Sequence, residues 1–86
     1  MINLSFPCVT IEIRQSGKLS NIGSVPAATE FLMMNWPTHD GEKLELARKT
    51  CLKALDGMTT VTEARAAFIE AAKEAGIFVD YQTRKG

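Results

Sequence analysis

The chain has no excess of either charge: its 86 residues hold ten Lys plus Arg against ten Asp plus Glu. Binding to nucleic acid through bulk charge needs a surplus of Lys and Arg on one face, so no nucleic-acid partner is expected. Long apolar runs are missing as well. A membrane helix needs about 20 consecutive apolar residues, and no segment approaches that length, so no membrane partner is expected. Cysteine is scarce, with Cys8 and Cys51 alone, and His39 is the single histidine. Three widely separated ligands do not make the four-ligand set of a structural zinc. The opening residues, Met1-Ile2-Asn3-Leu4-Ser5-Phe6-Pro7, lack the charged and apolar regions of an export signal. The expected location is therefore the cytoplasm, where thiols stay reduced, and no disulfide, metal or cofactor is expected. Repeats, low-complexity tracts and linkers are absent. Gly41, Gly57 and Gly76 are too dispersed to form a phosphate-cradling loop.

What is present describes one small globular domain. Hydrophobic residues make up 45% of the chain, which excludes a disordered tail. The reading is a single domain over residues 1–86, with an ordered core from about residue 6 to about residue 80. A chain of this size buries only about two-thirds of its unfolded surface, so its core supplies little net stability. Self-association is the remaining aid to stability.

Val9, Ile11 and Ile13 alternate with Thr10, Glu12 and Arg14, the period of a half-buried strand. Pro7 precedes it. Gln15-Ser16-Gly17-Lys18 reads as a turn with Gly17 free to take positive φ, and Leu19–Ile22 as the return strand. Leu19 and Ile22 differ in parity, which calls for a bulge or an early end near Asn21. Ser24 is the expected N-cap of a first helix, with Pro26 in its first turn, ending before Pro37. Val25, Ala28, Leu32 and Trp36 share one face of this helix, while Ala27, Phe31 and Met34 point elsewhere. Glu30 is its only charge, so the helix is apolar almost all round. Asp40 or Thr38 is expected to cap a second helix, with Leu44, Ala47, Cys51 and Leu55 inward, Leu46 exposed alone and Gly57 ending it. Thr60 and Glu63 form a capping box for a third helix that turns Val61, Ala64, Phe68, Ala72 and Ala75 inward. Gly76 and Ile77 suit a Schellman ending. Ile77, Val79 and Tyr81 then alternate as either a third strand or an extended arm. The expected fold class is α+β: an N-terminal antiparallel β-hairpin, with open edges, followed by three α-helices (ββααα).

The string Trp36-Pro37, then Ala47, Cys51 and Ala54-Leu55-Asp56-Gly57, then Ala64-Arg65-Ala66-Ala67-Phe68-Ile69-Glu70-Ala71-Ala72-Lys73-Glu74-Ala75-Gly76-Ile77, carries a resemblance. It resembles an uncharacterised family of small proteins from rhizobia and related alphaproteobacteria, domain of unknown function number nine-eight-two. The resemblance spans Val9 to Ile77, and Trp36-Pro37 and the Ala64–Ala72 segment are its most specific parts. It implies a small cytoplasmic bacterial protein with this order of hairpin and helices. It brings no activity, cofactor or catalytic residue.

Candidate functional residues are few. His39 beside Asp40 offers acid–base chemistry, with Cys51 or Cys8 as nucleophile. The spacing matches no known catalytic pattern, and the preferred reading makes Asp40 a cap, His39 a loop residue and Cys51 a small core hydrophobe. Trp36 is a stacking platform or an interface anchor on one reading, and a core residue on the preferred one. Phe31, Met33 and Met34 form either an interaction surface or a second buried face. Arg65 has Ile69 at its i+4 position, so no local ion pair explains it. Its preferred role is structural, at the carbonyls ending the second helix; a carboxylate across a dimer or an anionic ligand are its alternatives. Arg14, Lys18, Arg48, Lys49 and Lys53 make a weak basic strip diluted by Glu12, Glu42 and Glu45.

These features point to a non-enzymatic module that partners itself, as a homodimer, or another protein. The candidate interface or ligand residues are Phe31, Met34, Trp36, His39 and Arg65. The alternative is a small-ligand or regulatory domain with a pocket near Trp36, His39 and Arg65. An enzyme pairing His39 with a cysteine is the third and least supported reading.

Overall fold

The computed structural model describes residues 4–13, 17–37 and 41–79. Its elements run β1 (Ser5–Ile13), β2 (Lys18–Ser24), α1 (Val25–Met34), α2 (Glu42–Leu55), α3 (Val61–Ala75) and β3 (Phe78–Val79). The sheet has the order β2-β1-β3, antiparallel throughout, and the α+β class is as expected. The extended arm is resolved as a strand at Phe78–Val79, which pairs with Thr10 and Ile11 and closes one edge of the hairpin. Asp80, Tyr81 and Gln82 lie outside the described residues.

The hairpin departs from expectation in its irregularity. Ser5 faces Ser24 and Val9 faces Ile22, so Phe6, Pro7 and Cys8 stand opposite Gly23 alone. The bulge is thus on β1, not β2, and β2 runs past Asn21 to Ser24. Pro7 lies inside the strand, where the bulge spares its missing N–H a ladder partner. Gly23 makes the space: a Cβ there would stand 3.2 Å from Cys8 Sγ. The bulge brings Phe6 to the core side along with Val9 and Ile11, although its parity differs from theirs. The parity conflict in β2 resolves more simply, because Ile22 is buried and Leu19 faces solvent. Gly17 takes φ 72° at the turn.

Ser24 ends β2 and caps α1, its Oγ accepting from the Ala27 N–H at 3.3 Å. Val25, Ala28 and Leu32 face inward as expected, but Phe31 is also buried. The sequence reading that turned Phe31 away from the core is corrected. Helix α1 packs on β2, α2 and α3, so its buried arc is wider than a single stripe. Thr60 Oγ1 accepts from the Glu63 N–H at 3.1 Å, which starts α3. Gly76 (φ 74°) donates to Lys73 O and Ile77 donates to Ala72 O, the two bonds of a Schellman motif. In α2, Ala54 is buried in place of Leu55, which is exposed; Ala54 continues the row of Leu44, Ala47 and Cys51. Thr38 and Asp40 lie outside the described residues, and Gly41 occupies the N-cap without a side-chain bond of its own.

Small side chains dominate the seam between α2 and α3: Ala47, Ala54, Ala64, Ala71 and Ala72 are buried. Bulk comes from rings. Trp36 meets Phe31 edge-on at 5.6 Å and Phe68 edge-on at 5.7 Å between centroids. Each such pair contributes about 0.5–1.5 kcal/mol beyond area burial. Phe68→Ala removes the fully buried ring of this set and is expected to cost about 3–5 kcal/mol. Denaturant unfolding followed by Trp36 fluorescence checks this; a loss below about 1 kcal/mol would contradict the packing described.

Candidate functional site

The candidate residues do not converge on one site. Phe31 is in the core, so it offers no interaction surface. Trp36 follows Asn35, the residue that ends α1, and is half-buried between Phe31 and Phe68. Met34 is 73% exposed and Met33 45% exposed. Arg65 is half-buried, and its Nε donates to Pro7 O at 2.9 Å, a contact 58 residues distant in sequence. Its acceptor is thus the β1 bulge, not the end of α2. His39 and Asp40 lie outside the described residues, as does Arg14.

The helix-capping role anticipated for Arg65 belongs to Arg48. Its Nε and Nη2 both donate to Leu32 O, at 3.2 and 3.0 Å, in the last turn of α1. A guanidinium there satisfies an orphan carbonyl and complements the negative end of the helix dipole. Arg48 therefore leaves the basic strip. A third charged group does the converse: the Glu74 carboxylate accepts from the backbone N–H groups of Lys43 (3.4 Å) and Leu44 (3.3 Å) at the start of α2. Sequence reasoning missed both, because each bond joins residues from different helices and leaves no local pattern.

The two thiols are in opposite settings. Cys8 is exposed at the bulge, while Cys51 is buried and both are free. Burial pushes the Cys51 thiol up from its ordinary pKa, and a hydrogen bond with Thr29 only partly offsets this. Cys51 therefore stays protonated at neutral pH and is a poor nucleophile. No group of three or more His, Cys, Asp and Glu is placed to hold a metal ion among the described residues.

A shallow depression of about 400 Å³ lies instead on the outward side of α2, lined by Gly41, Glu42, Glu45, Leu46 and Lys49. Neither Trp36 nor Arg65 lines it. The visible signal was Leu46, an apolar residue set among charges on the face opposite Leu44, Ala47 and Cys51.

The thiol settings give a reactivity prediction. In the folded protein a thiol-alkylating reagent is expected to modify Cys8 rapidly and Cys51 only after unfolding, read by mass spectrometry. Because the Cys51 pKa is raised in the folded state, the folded state binds its proton more tightly than the unfolded one. Its contribution to stability is therefore present at neutral pH and declines as pH rises beyond the ordinary thiol range. Equal reaction of both thiols in the native protein would contradict this placement.

No curated protein and no solved structure matches the chain. Residues 7–79 match the family model described as a protein of unknown function (DUF982), a span that covers β1 from Pro7 onward, β2, all three helices and β3. The chain belongs to the DUF982 family.

Proposed function

We propose that this protein is a non-enzymatic interaction module of the bacterial cytoplasm that associates with a second copy of itself. One observation carries the reading: exposed bulk is unevenly distributed. Of the seven large apolar side chains that face solvent among the described residues, Met33, Met34, Leu46, Leu52, Leu55 and Met58 fall between the end of α1 and the loop after α2, and Leu19 lies elsewhere. Single exposed apolar residues need no explanation, whereas six in one stretch of the chain supply apolar bulk that a partner surface can cover. Methionine and leucine on helices adapt readily to a partner surface.

The polar and aromatic side chains support the same reading. Trp36 is engaged with two phenylalanines, Arg48 and Arg65 with backbone carbonyls, and Glu74 with a helix N-terminus. These groups serve the fold. The balanced net charge favours a protein partner over a polyanion. No helix among the described residues is long and apolar enough to cross a membrane.

Light scattering after size exclusion, over a wide concentration range, tests the proposal. The expected molar mass approaches twice 9.4 kDa at high concentration and is unchanged by reductant, since no disulfide is needed. A mass of one chain at every concentration would overturn it.

A further inference from the structure

Helix α2 carries two opposed rows. Leu44, Ala47, Cys51 and Ala54, spaced three, four and three residues apart, are buried. Glu42, Leu46, Lys49 and Lys53, spaced four, three and four apart, lie about half a turn away round the helix, and all four are exposed. The second row has the spacing of a helix–helix seam, and among the described residues nothing buries it.

Along this row Glu42 comes first and Lys49 and Lys53 follow, with Glu45 on one flank of the acidic end and Lys43 on the other. Such a row is complementary to itself only when reversed. A two-fold axis passing between Ala47 and Arg48 puts Glu42 of one copy level with Lys53 of the other, each about 8 Å along the helix from the axis. It likewise puts Leu46 level with Lys49. The aliphatic stems of the lysines then cover Leu46 while their ammonium groups reach the opposing carboxylates. The depression lined by Glu42, Glu45, Leu46 and Lys49 falls where those stems would seat. A parallel pairing would instead set Glu42 against Glu42 and Lys53 against Lys53.

Resting on the homodimer reading above, we infer that the α2 faces of two copies pack antiparallel, with the row Glu42, Leu46, Lys49 and Lys53 as the interface. The partner is a second copy of this chain. A single helix pair buries less surface than a standard stable interface, so association is weak and concentration-dependent. Like charges brought level across the seam would oppose it.

Charge reversal on the full-length protein tests this. Glu42→Lys with Glu45→Lys makes the row wholly basic; Lys49→Glu with Lys53→Glu makes it wholly acidic. By sedimentation equilibrium, each variant alone is expected to self-associate at least tenfold more weakly than the wild type. An equimolar mixture of the two is expected to restore association as a one-to-one pair. Leu46→Lys, which leaves the helix termini untouched, is expected to weaken self-association as well. Thermal unfolding by circular dichroism confirms that each variant is folded. If the wild type dimerises and all three variants do so equally well, the α2 seam is wrong while the homodimer reading stands. If the variants are monomeric but their mixture does not associate, the antiparallel register is wrong. If the wild type is monomeric throughout, both fall.

Discussion

A small core that must seal several backbone ends is the constraint on which this fold depends. Seventeen apolar side chains are buried among the described residues and six of them are alanines, so shape alone holds little in place. Three charged side chains supply what the core does not. Arg48 ties the last turn of α1 to α2, Glu74 ties the first turn of α2 to α3, and Arg65 ties α3 to the bulge of β1. Each satisfies backbone groups at a helix end or at the bulge, and a charged partner makes such bonds stronger than neutral ones. Together they join every helix to its neighbour through a polar contact at the edge of the core. The ring sequence Phe31, Trp36 and Phe68 then fills the space between α1 and α3.

This arrangement decides what the conspicuous residues are for. Arginine, tryptophan and a buried cysteine are the side chains that most often suggest a binding or catalytic site. Here Arg48 and Arg65 bond carbonyls, the indole packs on two rings and the Cys51 thiol lies on a buried helix face. The exposed surface includes the end of α1, with Met33 and Met34, and the outward side of α2, where Leu46 stands among Glu42, Lys49 and Lys53. The proposed contact with a second copy is placed on that side of α2.

How much of this the sequence disclosed follows from the range of each interaction. Ser24, the Thr60 and Glu63 pair, and Gly76 with Ile77 act within a single turn, and each was readable from its own few residues. The alternation from Val9 to Ile13 also depends only on period. The pattern failed where a second partner intervened. Phe31 lies off the main stripe of α1, yet α1 is covered from several sides and Phe31 is buried. The position of the bulge depends on Phe6 and Cys8 meeting Gly23 across two strands, so no one residue reveals it. Arg65 was recognised as structural from the lack of a local ion pair, but its acceptor is set by tertiary folding. The exposed row of α2 reads from sequence only as a solvated face, because Leu46 is its single apolar member among Glu42, Lys49 and Lys53.

The central claim is that the conspicuous side chains serve the fold and that recognition belongs to the outward face of α2. A concentration series of amide NMR spectra tests it most directly. Shifts are expected to move with concentration along residues 42–53, while the Trp36 indole and the Arg65 amide stay fixed. Concentration-dependent shifts centred on Trp36 and Arg65, with α2 unmoved, would contradict it.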